Sequence, residues 1–311
     1  MGHILLLGAG FSRNWGAPLS NEITGSLLGE LHDDVVLAQR LRSGPFEDAF
    51  SGFQRPRGDD ENSRRLHRLQ EAVTALFSRM NAALAGTTFE FDNTIAYSIK
   101  KFLERFDAIF TLNQDLLLET HYHPDFMSTN WSGVAIPGMQ GSYEAGRSGL
   151  DHPTKLTWRP TGDASVLEKM QPYFKLHGSS NWKDEQGEPV LIMGSAKSGA
   201  IDRFPVLKTY HDAFRQMLGQ PNTKLMVIGY SFQDDHINRV ICKASAFTGL
   251  GTFIVDPNGR DALKDPKMAH AMIKAKRDVE DIKIIGELKR PLSVIFRRDA
   301  FAHGELMRFF A

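Results

Sequence analysis

Apolar positions along the 311-residue chain fall into two kinds of run. Short, nearly unbroken runs lie at His3–Gly8, Phe106–Thr111, Tyr173–Leu176, Leu225–Gly229 and Thr252–Val255. Runs of that length, closed by glycine or a polar residue, predict strands buried on both faces. Between them lie stretches with helical spacing: Ser20–Leu31 with Ser20 as N-cap, Asp34–Leu41, Arg64–Leu84, Asn93–Arg105, Gln114–His123, Phe204–Leu218, Asp234–Ser245, the region Asp261–Lys274, and Ala300–Phe310. In the longest of these, Leu66, Leu69, Val73, Leu76, Phe77 and Met80 form one apolar stripe. Ser43–Arg64 is rich in Gly, Pro, Asp and Arg and predicts a mobile loop. Pro124–Met170 predicts an irregular insertion with short strands around Gly133–Ile136, and Val190–Met193 a further strand in a hairpin or flap.

Strands alternating with helices imply an α/β fold: a Rossmann-like, mostly parallel sheet with helices on both faces. The expected organisation is one domain over residues 1–311, with a helical insertion at about 34–105 and an irregular one at about 124–170. In such sheets ligands bind outside the carboxyl ends of the strands. Residues just past each strand are therefore the candidates for chemistry.

Gly8, Ala9, Gly10, Phe11 and Ser12 follow the first strand. A glycine-rich turn lets backbone approach a pyrophosphate, and a helix start offers N–H donors. The third glycine of the usual dinucleotide fingerprint is replaced by Arg13, and no acidic strand end follows about twenty residues on, which argues against a standard dehydrogenase. Asn113 and Asp115 follow the second strand. They suit a polar ligand, or equally a cap on the helix after them. His177, then Gly178, Ser179 and Ser180, follows the next strand; it is a candidate base, or a structural histidine. Gly229 and Ser231, and then Asp256 and Asn258, close the series. Each has an ordinary turn as its alternative, but five consecutive strand ends carrying ligand-type residues favour one shared crevice.

Composition narrows the function. Lys plus Arg equals Asp plus Glu, 37 each, so no basic footprint points to direct nucleic-acid binding. No apolar run approaches the roughly 20 residues needed to span a bilayer, and the short Ile4–Leu7 run lacks the flanks of a signal peptide. The one cysteine, Cys242, forms no internal disulfide and no four-cysteine zinc site. A reducing, cytoplasmic setting follows, with no metal site expected.

In this order the motifs resemble those of the sirtuin superfamily. Gly8-Ala9-Gly10-Phe11-Ser12 is similar to its opening glycine motif, Thr111-Leu112-Asn113-Gln114-Asp115 to its Thr-Gln-Asn-Ile-Asp motif, and Leu176-His177-Gly178-Ser179 to its Leu-His-Gly motif. Gly229-Tyr230-Ser231 resembles its Gly-Thr-Ser motif, and Asp256 and Asn258 stand near its adenosine-contacting segment. The two Cys-x-x-Cys pairs of deacylating sirtuins are missing, as is the Asp-Phe-Arg beyond Gly16-Ala17-Pro18. With Arg13, Glu119 and Asp234 in place, the chain looks more like the zinc-less sirtuin-like domains of bacterial antiphage systems.

That resemblance implies an NAD+ hydrolase that cleaves the nicotinamide–ribose bond, with NAD as substrate and no zinc. It implies Asn113, His177 and Asp115 as catalytic residues, and Gly8, Ala9, Gly10, Phe11, Ser12, Gly229, Ser231, Asp256 and Asn258 as NAD-binding residues. It also implies abortive-infection defence and activation within a homo- or hetero-oligomer, beside an Argonaute-like, ATPase or nucleotide-processing partner. The alternatives are a non-catalytic NAD or ADP-ribose sensor, a scaffold subunit and, less favoured, a protein deacylase.

Overall fold

The structure is a computed structural model and describes residues 2–53, 60–123, 128, 130–143, 156–162, 164–192, 199, 201–264 and 282–311. The main sheet has seven strands: β1 (His3–Leu7), β2 (Ala108–Thr111), β3 (Gly133–Ala135), β6 (Met170–Lys175), β9 (Lys224–Ile228), β10 (Gly251–Val255) and β11 (Ile284–Leu288). Their order is β11-β10-β9-β1-β2-β6-β3, and all neighbouring pairs are parallel. All four residues of β2 and all five of β10 are buried, so helices cover the sheet on both sides. The Rossmann-like α/β expectation holds.

From β1 the chain moves to β2 and β6 on one side, then returns to β9 on the other. The reversal opens a crevice at the carboxyl ends of β1 and β9, where open α/β sheets bind ligands.

Residues 20–85 build a helical unit from α2 (Ser20–Glu30), α3 (Val35–Ser43), α4 (Phe46–Phe53) and α5 (Asp60–Ala85); α1 is the single turn Ala9–Ser12. Its core is separate from that of the sheet and brings together Leu27, Leu37, Phe46, Phe50, Leu69 and Val73. The sequence placed a mobile loop at Ser43–Arg64. Instead α4 fills residues 46–53 and α5 begins at Asp60. The cause is burial: Phe46, Phe50 and Phe53 recur at helical spacing and all turn inward. Ser20 is not a cap; α2 begins there with Leu19 before it, and the Glu22 carboxylate accepts the Leu19 N–H at 2.8 Å. Asp34 does cap α3, accepting from Val36 and Leu37.

The expected helix at Asn93–Arg105 is split into a short turn, Ile95–Tyr97, and α6 (Ile99–Leu103), capped by Ser98. The described parts of the second insertion carry β4 (Met139–Tyr143) and β5 (Leu156–Pro160). These join β7 (Gly178–Lys183) and β8 (Pro189–Leu191) in a second sheet, ordered β4-β5-β7-β8. Thus the stretch just past His177 continues as a strand, Gly178–Lys183. Of the helical region expected near Asp261–Lys274, the described part forms a 3-10 helix, Gly259–Lys264; residues 265–274 lie outside the described ones.

Later helices are α7 (Leu117–His121), α8 (Pro205–Leu218), α9 (Asp235–Thr248), α10 (Leu292–Ile295) and α11 (Ala300–Met307). No helix among the described residues is long and apolar enough to cross a membrane.

Candidate functional site

Two glycine turns frame the crevice. Gly8 N–H donates to Ile228 O at 3.0 Å and Gly10 N–H to Gly229 O at 2.9 Å, so the turns after β1 and β9 are hydrogen bonded to each other. A Cβ on Gly8 would stand 2.5 Å from Gly229 O, and one on Gly10 2.7 Å from Gly229 Cα. The glycines therefore serve first to let two backbones touch. Ala9 and Ser12 line the opening between them. Phe11 departs from expectation: its ring is buried, packs tilted against Trp15 with centroids 5.0 Å apart and does not line the cleft. Its hydrophobicity decides this, since the ring gains more from the core than from a polar cleft.

Asn113 is held at the end of β2 by its neighbours. Thr111 Oγ1 accepts its backbone N–H, and its Nδ2 donates to Gly8 O and to Ser12 Oγ, each at 3.0 Å. Both amide hydrogens are committed to the glycine turn. What the side chain offers a ligand is its Oδ1 acceptor. The capping alternative fits Asp115 instead: its Oδ1 accepts the Leu117 N–H at 3.0 Å, at the start of α7, while the residue stays at the cleft wall.

Behind Asp115 lies a buried ion pair. Lys175 Nζ, fully enclosed, meets Glu119 Oε1 at 2.6 Å and the Asp115 carbonyl at 2.5 Å. Burial pushes the Glu119 carboxyl above its ordinary range against the pull of Lys175. Asn81 on α5 accepts the Leu116 N–H and donates to Ser180 Oγ, tying the helical unit to this loop. In the sequence Asn81 is only an amide beside an apolar helix stripe; its burial shows its role.

His177 follows β6 and is almost fully buried at its base. Its carbonyl accepts from Ile192, past β8, and the Gly178 backbone has φ +74, where a side chain would overlap Val190. Its Nε2 lies 3.1 Å from Nε2 of His236, at the start of α9. His211, whose pKa burial lowers, packs its ring 5.2 Å from that of His236. Neither of these histidines was signalled by the sequence, because each sits in an ordinary helical stretch.

The turn after β9 is set by Tyr230 and Asn238. Tyr230 OH donates to Asn238 Oδ1 at 2.9 Å and accepts from Asp234 N–H at 3.0 Å, while Asn238 donates to Phe232 O. Phe232 is held at φ +56, a conformation that costs a non-glycine residue free energy. Asp256 accepts the Asn258 N–H at 2.8 Å, and burial raises its pKa.

These elements enclose one cleft of about 1500 Å³. Gly8, Ala9, Gly10, Ser12, Asn113, Asp115, His177, Gly229, Ser231, Asp256 and Asn258 all line it, and Phe46 and Phe77 of the helical unit close one side. The predicted site residues, apart from the Phe11 ring, are brought together.

The fold and cleft define a Rossmann-like α/β domain with its ligand crevice at the strand-order reversal. A family model described as "SIR2-like domain" matches residues 107–277, more than half of the chain. The chain belongs to this SIR2-like family. No curated protein matches it in sequence. Among solved structures it is similar to Sir2Tm bound to a propionylated peptide: 10% identity, TM-score 0.44, covering 97% of this chain and 93% of that one. It is also similar to SIR2 in complex with EX-527, 2'-O-acetyl-ADP-ribose and a deacetylated p53 peptide: 10% identity, TM-score 0.39, 97% and 94% coverage.

Proposed function

We propose that the chain is an NAD+ hydrolase that releases nicotinamide and ADP-ribose. The observation that carries this is the meeting of Asn113, Asp115 and His177 with both glycine turns on one cleft of dinucleotide size. Family membership supports NAD as the dinucleotide.

In this assignment the pyrophosphate lies along Ala9, Gly10 and Ser12, and the adenosine half reaches Asp256 and Asn258. Asp115 orients the nicotinamide carboxamide. The scissile bond breaks through a cationic ribose, so placement and dipoles contribute more than a strong nucleophile. Asn113 has only its Oδ1 free of the turn, and that acceptor holds the attacking water by one hydrogen. His177 takes the second proton, directly or through a ribose hydroxyl.

The same proposal includes a role in antiphage defence as an NAD-depleting effector. Unrestrained loss of NAD would harm the host cell, so the free chain is held inactive and an oligomeric partner releases it. Deacylation is disfavoured because the single cysteine offers no four-cysteine zinc module of the deacylase kind.

Nicotinamide release from NAD, with and without candidate partners, is the test. Release by the wild type that falls at least about 100-fold in a folded His177→Ala variant is the expected result. NAD binding without release under all conditions would make the chain a sensor instead.

A further inference from the structure

His177 shares the floor of the cleft with two other ligand-type side chains. Its Nε2 stands 3.1 Å from Nε2 of His236, with the ring centroids 5.3 Å apart and tilted by 45°. Asp234 brings a carboxylate to the same place: one ligand atom from each of the three lies within 4.8 Å of the others. His177 arrives from the turn after β6, Asp234 from the N-cap position of α9 and His236 from its first turn. The Tyr230–Asn238 hydrogen bonds fix the loop that presents the latter pair.

Two imidazole nitrogens at contact distance either share a proton or turn two lone pairs toward one cation. Two nitrogens bound at the usual distance to a tetrahedral zinc-type ion are about 3.3 Å apart. Two adjacent ligands of an octahedral ion are about 2.9 Å apart. The observed 3.1 Å falls between these. A neighbouring carboxylate completes a donor set of two imidazoles and one oxygen, which suits borderline divalent ions.

We propose that His177, Asp234 and His236 form a binding site for a divalent transition-metal ion of the zinc type. Three protein ligands leave coordination open toward the cleft, where water or a ligand oxygen completes it. One consequence rests on the hydrolase assignment above: a bound ion occupies the lone pair that His177 uses as base. The metal-loaded chain is then arrested, and its activity follows metal availability.

The full chain, without an affinity tag, is titrated with Zn2+ by calorimetry and with Co2+ by visible absorption. The expected result is one ion per chain, with Co2+ bands of a nitrogen–oxygen site. His236→Gln and Asp234→Asn should each weaken binding at least tenfold while keeping the wild-type unfolding midpoint within a few degrees. His67→Gln, at an exposed histidine 3.3 Å from Glu71, should bind as the wild type does. No stoichiometric binding, or binding that survives both substitutions, overturns the site. Nicotinamide release is read in parallel to separate the two claims. Metal binding lost in the variants, with no nicotinamide release by the metal-free chain even beside candidate partners, keeps the site and removes only the hydrolase assignment. Turnover without metal binding removes the site and keeps the hydrolase.

Discussion

Gly229 packs backbone against backbone on Gly10, its carbonyl accepting the Gly10 N–H at 2.9 Å. Gly229 also has φ +63, and a Cβ there would overlap Gly10 and the Phe11 nitrogen. The two turns that frame the cleft are thus one interlocked unit. Gly229→Ala is expected to cost on the order of 3 kcal/mol, combining backbone strain with overpacking. Gly16→Ala supplies the contrast: φ is +91 but nothing lies within 4 Å of the added methyl, so about 1 kcal/mol is expected. Urea midpoints of the two variants compare them, and equal losses would contradict the interlock.

Asn113 has a structural task as well as a proposed chemical one. Its two hydrogen bonds to Gly8 O and Ser12 Oγ position the first glycine turn. Asn113→Asp replaces the donor with an acceptor facing the Gly8 carbonyl, at a cost of roughly 1–3 kcal/mol. Ser12→Ala removes one partner only and should cost about 1 kcal/mol. Thermal unfolding orders the two, and nicotinamide release should fall far more in Asn113→Asp. An Asn113→Asp protein as stable as the wild type would show that the turn does not depend on this amide.

The Lys175–Glu119 pair is enclosed beneath Asp115, with both side chains almost wholly out of water. Lys175→Met strands a buried carboxylate and should destabilise by about 3–5 kcal/mol. Lys175→Met combined with Glu119→Gln removes the charge as well and should recover much of that loss. Chemical denaturation of the single and double variants gives the answer. Equal stability of the two would mean that Glu119 takes up a proton once Lys175 is removed, leaving no stranded charge.

Acid sensitivity should arise at His123. Burial, helped by Lys175, pushes its pKa down to about 3 from 6.5, and its Nε2 has no hydrogen-bond partner among the described residues. The folded chain therefore resists a proton that the unfolded chain accepts. The stability this residue contributes is complete above pH 6.5 and is lost as pH falls toward 3. His123→Phe keeps a ring against Tyr173, 4.9 Å away, and removes the titration. Its melting temperature should fall less between pH 7 and pH 4 than that of the wild type. Parallel curves would place the acid sensitivity elsewhere.

The central strands were legible because parallel strands buried on both faces read as short apolar runs, and β1, β2, β9 and β10 do. β11 was not: it lies at the sheet edge, holds Gly286 and Glu287, and is only partly buried, so its pattern is broken. α4 was hidden by the Gly44-Pro45 before it, although Phe46, Phe50 and Phe53 carry helical spacing. The glycine turns, Asn113, Asp115 and His177 were readable because strand ends expose what a crevice uses. His236 was not, because only the return of the chain from β6 to β9 brings it to His177, 59 residues away. Nor could sequence show that Asn113 spends its hydrogens on the first turn, since that depends on the β1–β2 register.

The most direct test is a crystal structure of the chain with NAD or ADP-ribose bound, which needs no activating partner. The pyrophosphate should lie against Ala9, Gly10 and Ser12, the adenosine at Asp256 and Asn258, and the C1′ carbon of the other ribose facing Asn113 and His177. A dinucleotide bound away from the β1 and β9 turns, or one whose C1′ carbon points away from His177, would contradict the account.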